Sequence, residues 1–219
     1  MTFDFSFALS IVPTILAAMG MTIAVAIVSC FGAALLGFLL EILRRTGKPM
    51  GYLMRFVIDF IRSTPVLVQI YFLYFVLPFY GVTMPALVVG VLALSVYYSG
   101  YLAEVFKAGI DSIPSGQFEA AKALGLTRID AIVFVVAPQM LRNVAAPMGN
   151  YFVSLLKATP YLAVIAVPEM LGAAMEVASD TFRYAEPMVI VGILFLILAV
   201  TIAQFVRLLE QRLLASAKR

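Results

Sequence analysis

At 219 residues, 63% hydrophobic and 12% charged, this chain is far more apolar than a soluble domain, which averages about 45–50% apolar and 25% charged residues. It reads as an integral membrane protein. It has no histidine, no Cys-x-x-Cys and no Gly-x-x-x-x-Gly-Lys-Ser/Thr loop, so the usual zinc and haem ligands, the Ser-His-Asp triad and the phosphate-binding loop are all missing. No catalytic residue, metal or cofactor is therefore expected, and if the chain pumps, another subunit drives it. The net charge of +3 sits in particular loops, which points to membrane orientation and not to nucleic acid.

The N-terminal stretch Met1 to Ser10 carries Asp4 and no Lys or Arg. The apolar run behind it exceeds a signal-peptide core, so it reads as part of the mature protein. Crossing the hydrocarbon core takes about 20 apolar residues, and five segments qualify: 12–41, 56–79, 85–107, 145–168 and 187–209. The first holds the single cysteine, Cys30, which reads as packing. On the second, Asp59, Arg62 and Gln69 fall on one helical face, with Asp59 and Arg62 spaced to pair locally, and Pro65 predicts a kink. The third carries Tyr97, Tyr98, Tyr101 and Glu104, of which Tyr97, Tyr101 and Glu104 share a face. Such rings serve either as packing and interfacial anchors or as a ligand cage.

Between the third and fourth spans lies a polar island, Ile113 to Leu126. Pro114 breaks the preceding helix, Ser115 is placed to cap a new one, Glu119 to Leu124 are good helix formers, and Gly125 suits a left-handed C-terminal position. A helix over about 115–125 is too short to be stable alone, so it needs a docking partner. The fourth span is interrupted by Pro147, Lys157 and Pro160 and preceded by the apolar stretch Ala131 to Val136, which predicts a broken or kinked helix. Asn150, Ser154, Lys157 and Tyr161 make one polar stripe along it. Lipid is excluded as their neighbour. Helix packing, a second subunit or a water-filled cavity remains, and Lys157 requires a cavity or a carboxylate such as Glu104.

Basic residues set the orientation. Arg44, Arg45, Lys48 and Arg55 fall in the first loop, Lys107, Lys122, Arg128 and Arg142 about the third, and Arg207, Arg212, Lys218 and Arg219 near the C-terminus. These regions are expected in the cytoplasm. The N-terminus is expected outside, as is the fourth loop, where Arg183 faces Glu169, Glu176, Asp180 and Glu186. The acidic fourth loop reads as solvated charge or as a contact for an external protein.

Glu119-Ala120-Ala121 with Gly125 and the later Ala137-Pro138-Gln139 resembles the EAA loop of permease subunits of bacterial ABC importers. Phe60-Ile61-Arg62-Ser63-Thr64-Pro65-Val66-Leu67-Val68-Gln69, Tyr101-Leu102-Ala103-Glu104-Val105-Phe106-Lys107 and Ile113-Pro114-Ser115-Gly116-Gln117 are similar to the polar amino acid permeases of the histidine, glutamine, arginine and cystine type. The similarity runs from about residue 10 to 212. It implies a bacterial inner-membrane location, a second permease subunit (identical or related), two ATPase subunits and an extracytoplasmic solute-binding protein. It also implies that Ser115, Gly116, Gln117, Glu119, Ala120, Ala121, Lys122 and Gly125 couple to the ATPase. Arg62, Gln69, Tyr97, Tyr98, Tyr101, Glu104, Asn150, Ser154, Lys157, Thr159 and Tyr161 are the candidates for the substrate pathway.

Two stretches depart from that pattern. The family has small and amide residues where Ser95-Val96-Tyr97-Tyr98-Ser99-Gly100 stands, and Lys-Asp-Thr-Ser-Leu where Lys157-Ala158-Thr159-Pro160-Tyr161-Leu162 stands. An acid is lost and rings are gained. Aromatic faces hold delocalised cations, which puts a plain cationic amino acid at a disadvantage, and the resemblance to a sub-branch of this family that carries ectoine or hydroxyectoine implies a zwitterion such as ectoine. The reading is thus an all-α membrane protein of five transmembrane helices with a cytoplasmic coupling helix between the third and fourth. Its rivals are a secondary transporter or channel for small polar solutes, for which no inverted repeat is evident, and a membrane enzyme, for which Asp59 and Glu104 lack a nucleophile partner.

Overall fold

The computed structural model describes residues 3–215, and Lys218 and Arg219 lie outside them. Helix α1, Phe5–Ala17, starts where the Asp4 carboxylate accepts the N–H groups of Ser6 and Phe7 at 2.9 and 3.1 Å, satisfying donors that would otherwise face an apolar medium. It runs almost directly into α2, Met19–Arg44, so the first apolar stretch is 40 residues long, Phe5–Arg44. The span read as 12–41 extends at both ends.

The second span is two helices. Helix α3, Lys48–Ser63, and α4, Val66–Tyr71, which continues as a π turn, Phe72–Val76, and a 3-10 turn, Leu77–Tyr80, meet at 99°. Pro65 explains the break: it has no N–H to donate, and it forces Thr64 into extended backbone, φ −101° and ψ 135°. The carbonyls left over are taken locally. Thr64 donates its hydroxyl to Phe60 and Ile61 oxygens at 3.1 and 3.2 Å, and the Gln69 amide donates to Ile61 O at 3.0 Å. Two sequence expectations are corrected here. Gln69 lies beyond the break and shares no continuous helical face with Asp59 and Arg62, and Asp59 forms no ion pair with Arg62 among the described residues.

Helix α5, Ala86–Asp111, packs along α2 as the central pair. Both faces of that seam are small: Ala26, Ser29, Ala33 and Gly37 on α2, and Ala93, Ser95, Ser99 and Ala103 on α5, are all buried. A Cβ on Gly37 would sit 2.8 Å from the Ser99 carbonyl oxygen, so only glycine admits this approach. Close backbone contact of this kind holds helices together where lipid offers no hydrophobic contrast.

Helix α6, Ser115–Ala123, is the short helix of the polar island. Its N-cap is Pro114 with no side-chain hydrogen bond, so Ser115 is the first helical residue and not the cap. Its other end is as expected: Gly125 takes φ +75°, and Gly125 and Leu126 return their N–H groups to Lys122 and Ala121 oxygens at 3.0 and 3.1 Å. After α7, Arg128–Asp130, a π-helical stretch, Ala131–Val136, leads into α8, Ala137–Leu156, and then a 3-10 turn, Thr159–Ile165. The fourth span therefore covers Ala131–Ile165, beginning earlier than 145, and its α-helical part stops at Leu156. Helices α9, Met170–Thr181, and α10, Ala185–Ala215, complete a chain that is all-α among the described residues. Four helices are long enough to cross a membrane, or five when α3 and the helix beyond Pro65 count as one broken span.

Candidate functional site

Helical spacing puts Tyr97 and Tyr101 one turn apart on α5, and their hydroxyls meet at 3.1 Å. The break at Pro65 ends α3 beside them, where the Tyr101 hydroxyl donates to the Arg62 carbonyl at 3.4 Å and the Arg62 guanidinium carbon lies 5.3 Å from the Tyr101 ring centre. That is cation–π distance. From α8, Tyr151 brings its ring within 5.6 Å of Tyr101, and Ser154 shares a 3.2 Å hydrogen bond with the Tyr98 hydroxyl. Four rings, one guanidinium and two hydroxyl pairs thus converge from α3, α5 and α8. A groove of about 500 Å³ runs from Tyr101 and Tyr151 past Glu104 and Pro147 to Ser112 and Asn143, which is within the roughly 300–1,000 Å³ of small-molecule sites.

Glu104 is not free to serve this cluster. It accepts from Arg44 Nη1 at 2.5 Å, and Arg44 also donates through Nε to Glu41 at 2.6 Å. Arg45 bridges Glu41 and Asp111 in parallel. Five charges tie the ends of α2 and α5, with Glu41 only 1% exposed at their centre. Of the two neighbours expected for Lys157, a cavity or a carboxylate such as Glu104, the carboxylate is absent: Lys157 is exposed at the end of α8 and has no carboxylate within 4 Å among the described residues.

Asn150, Ser154, Lys157 and Tyr161 are all exposed on this chain, although the helix changes to a 3-10 turn between Lys157 and Tyr161. The stripe is open on this chain, although Ser154 also reaches inward to the Tyr98 hydroxyl. Thr159 is buried and donates to Leu156 O at 2.9 Å, the bond of a packed turn. Gln69 is half-buried, donating to Thr64 Oγ1 at 2.7 Å and to Ile61 O across the Pro65 break.

On α6, Ser115, Gly116, Gln117, Glu119, Ala120 and Lys122 are exposed, while Ala121 is buried. One face is anchored and the other presented. Gln139 on α8 donates to Gln117 at 3.1 Å, and Asn143 donates to Ser112 at 2.7 Å, so the short helix is fastened to the helix that carries the polar stripe. Sequence reasoning missed Tyr151, Asn143 and Ser112. Pro147, Tyr151 and Ser154 are spaced i, i+4, i+7, a signal that was available. The pairing of Arg44 and Glu104, 60 residues apart, had no local signal.

Residues 33–215 match the family model described as binding-protein-dependent transport system inner membrane component. The chain is 39% identical over 212 residues, 96% of its own length and 91% of the relative, to the protein of Sinorhizobium fredii named "Probable amino-acid ABC transporter permease protein y4tG". It is 30% identical to the glutamine transport system permease protein of Escherichia coli, covering 97% of this chain and 99% of that one. A crystal structure of an amino acid ABC transporter with histidines contains a chain of the same fold, with a TM-score of 0.88, 31% identity and coverage of 97% and 100%.

Proposed function

Because the chain belongs to the family of binding-protein-dependent transport system inner membrane components, a multi-pass inner-membrane subunit that is not itself an enzyme, we propose that it is the permease of an ATP-driven importer for polar amino acids or related zwitterions. In this reading two ATPase copies dock on the cytoplasmic side, a second permease subunit completes the pathway, and a solute-binding protein delivers cargo outside. The permease functions named for the relatives from Sinorhizobium fredii and Escherichia coli support it. The N-terminus lies outside and the C-terminus inside, an orientation supported by the basic residues about the first and third loops.

The exposed face of α6 is the ATPase contact. Ala120 allows close approach, Gly125 makes the turn, and the Gln117–Gln139 hydrogen bond supplies a physical link to α8. The exposed stripe of Asn150, Ser154, Lys157 and Tyr161 faces the second permease or the aqueous path between the two.

The observation that carries the substrate reading is Arg62 over the ring of Tyr101, which packs against Tyr97, Tyr98 and Tyr151, with Glu104 paired to Arg44. A guanidinium suits the carboxylate of a substrate, and ring faces suit a diffuse cation. Glu104, held by Arg44, is not free to select a localised ammonium or guanidinium. The substrate class is a zwitterion with a delocalised positive group, such as ectoine. Uptake by the assembled transporter in proteoliposomes, with labelled ectoine and excess unlabelled competitors, tests it. Ectoine and similar zwitterions should compete, and arginine should not. Uptake of labelled arginine with none of labelled ectoine, or abolition of ectoine uptake by excess arginine, returns the protein to the basic amino acid group.

A further inference from the structure

The elbow between α2 and α3 holds a second cavity, of about 310 Å³, walled by Arg44, Arg45, Lys48, Gly51, Tyr52 and Arg55. Gly47 completes the wall, and four of its seven residues are cationic. Arg44 and Arg45 are bound to Glu41, Glu104 and Asp111, all outside the lining. Lys48 and Arg55 are exposed and have no carboxylate within 4 Å among the described residues; Asp59, one turn beyond Arg55, makes no such pair. Orientation alone asks for positive charge in a loop. It does not ask for two unpaired cations at the wall of a cavity.

What lies next to the cavity identifies the occupant. On α3, Lys48, Tyr52 and Arg55 are spaced i, i+4, i+7 and face the cavity, while Leu53, Phe56 and Phe60, spaced i, i+3, i+7, form the adjoining stripe. That stripe is apolar and open: Leu53 is 52%, Phe56 69% and Phe60 61% exposed, with the two Phe rings stacked at 6.5 Å. Ile58 and Ile61 are buried. A basic pocket contiguous with an exposed apolar stripe is complementary to an anion that carries hydrocarbon, and a free phosphate would leave the stripe unused. We propose that this elbow binds one anionic phospholipid, its phosphate between Lys48 and Arg55 and its acyl chains along Leu53, Phe56 and Phe60. The proposal takes from the transport reading only the leaflet, the cytoplasmic one.

The full chain reconstituted in nanodiscs of mixed phosphatidylglycerol and phosphatidylcholine, then examined by native mass spectrometry, tests this by counting retained lipids. The wild type should retain one phosphatidylglycerol in preference to phosphatidylcholine. Lys48→Ala/Arg55→Ala should lower that preference by about 30-fold, equivalent to roughly 1 kcal/mol per basic side chain near a lipid surface. Phe56→Ser, which removes an acyl-chain contact, should lower the amount of lipid retained. Equal retention of both lipids by the wild type, or unchanged preference in the double variant, overturns the site. So does full displacement by millimolar inorganic phosphate with no effect of Phe56→Ser, which would mark a plain phosphate pocket. Because the readout is lipid retention and not uptake, its failure leaves the transport reading standing.

Discussion

Glu41 shows how a single side chain governs the stability of this fold. Its carboxylate is buried between Arg44 and Arg45, and removing one partner of a buried ionic cluster leaves the others uncompensated. Glu41→Gln should therefore cost about 3–5 kcal/mol, read as a large loss of thermal stability in detergent. Asp111 is half exposed in its pair with Arg45, so Asp111→Asn should cost less than about 1 kcal/mol. Glu169 behaves differently. It ends the loop before α9, fully buried, with one oxygen accepting Gly172 N–H at 2.7 Å and the other without a partner among the described residues. Burial pushes its carboxyl up to about 7, against the smaller opposing effect of backbone N–H groups of Leu171 and Gly172. The folded state then holds a proton that the unfolded state has released, so stability should fall as pH rises from about 4.5 through 7 and level off above. Melting curves across that window should show the slope in the wild type and a flatter one in Glu169→Gln. In the tyrosine cluster, Tyr101→Ala should reduce uptake more than Tyr101→Phe, because the phenylalanine keeps the ring under Arg62 and loses only the hydroxyl contacts.

At the scale of elements, two breaks matter more than the continuous helices. Pro65 turns the second span by 99°, and without that turn Arg62 would continue along a straight helix instead of ending it beside Tyr101. The other is the turn closing α6. Gly125 sits at φ +75°, a region that β-branched residues avoid. Gly125→Val should leave the subunit in the membrane, since the strained turn is outside the spans, yet uncouple ATP hydrolysis from uptake. Normal coupled transport by a stably assembled Gly125→Val variant would remove α6 from the coupling role.

The whole molecule is organised by where its charges end up. Reporter fusions at Lys48, Glu119 and Lys218 should read cytoplasmic and one near Asp180 external, the outcome expected from the positions of Lys and Arg; a cytoplasmic signal at Asp180 would break the five-span arrangement. Helix α10 exposes Ile193, Leu196, Ile197 and Val200, as expected of a helix that meets lipid or another subunit along much of its length.

Several properties needed no tertiary information. Apolar length alone defined the membrane class and the approximate spans, because a bilayer penalises every unpaired backbone group and so leaves few alternatives to long helices. Pro114 and Gly125 bracketed the short helix because both act through their own backbone. The limits of such reasoning appear wherever partners are distant in the chain. Periodicity put Glu104 on a face with Tyr101, and the depth of Lys157 made Glu104 one candidate neighbour for it, but the close packing of α2 on α5 at Gly37 brings Arg44 to Glu104. Likewise Tyr151 joins the tyrosines only because α8 packs on α5. Local backbone chemistry is written residue by residue, whereas which charge meets which acid depends on how closely two helices approach, and only the folded chain decides that.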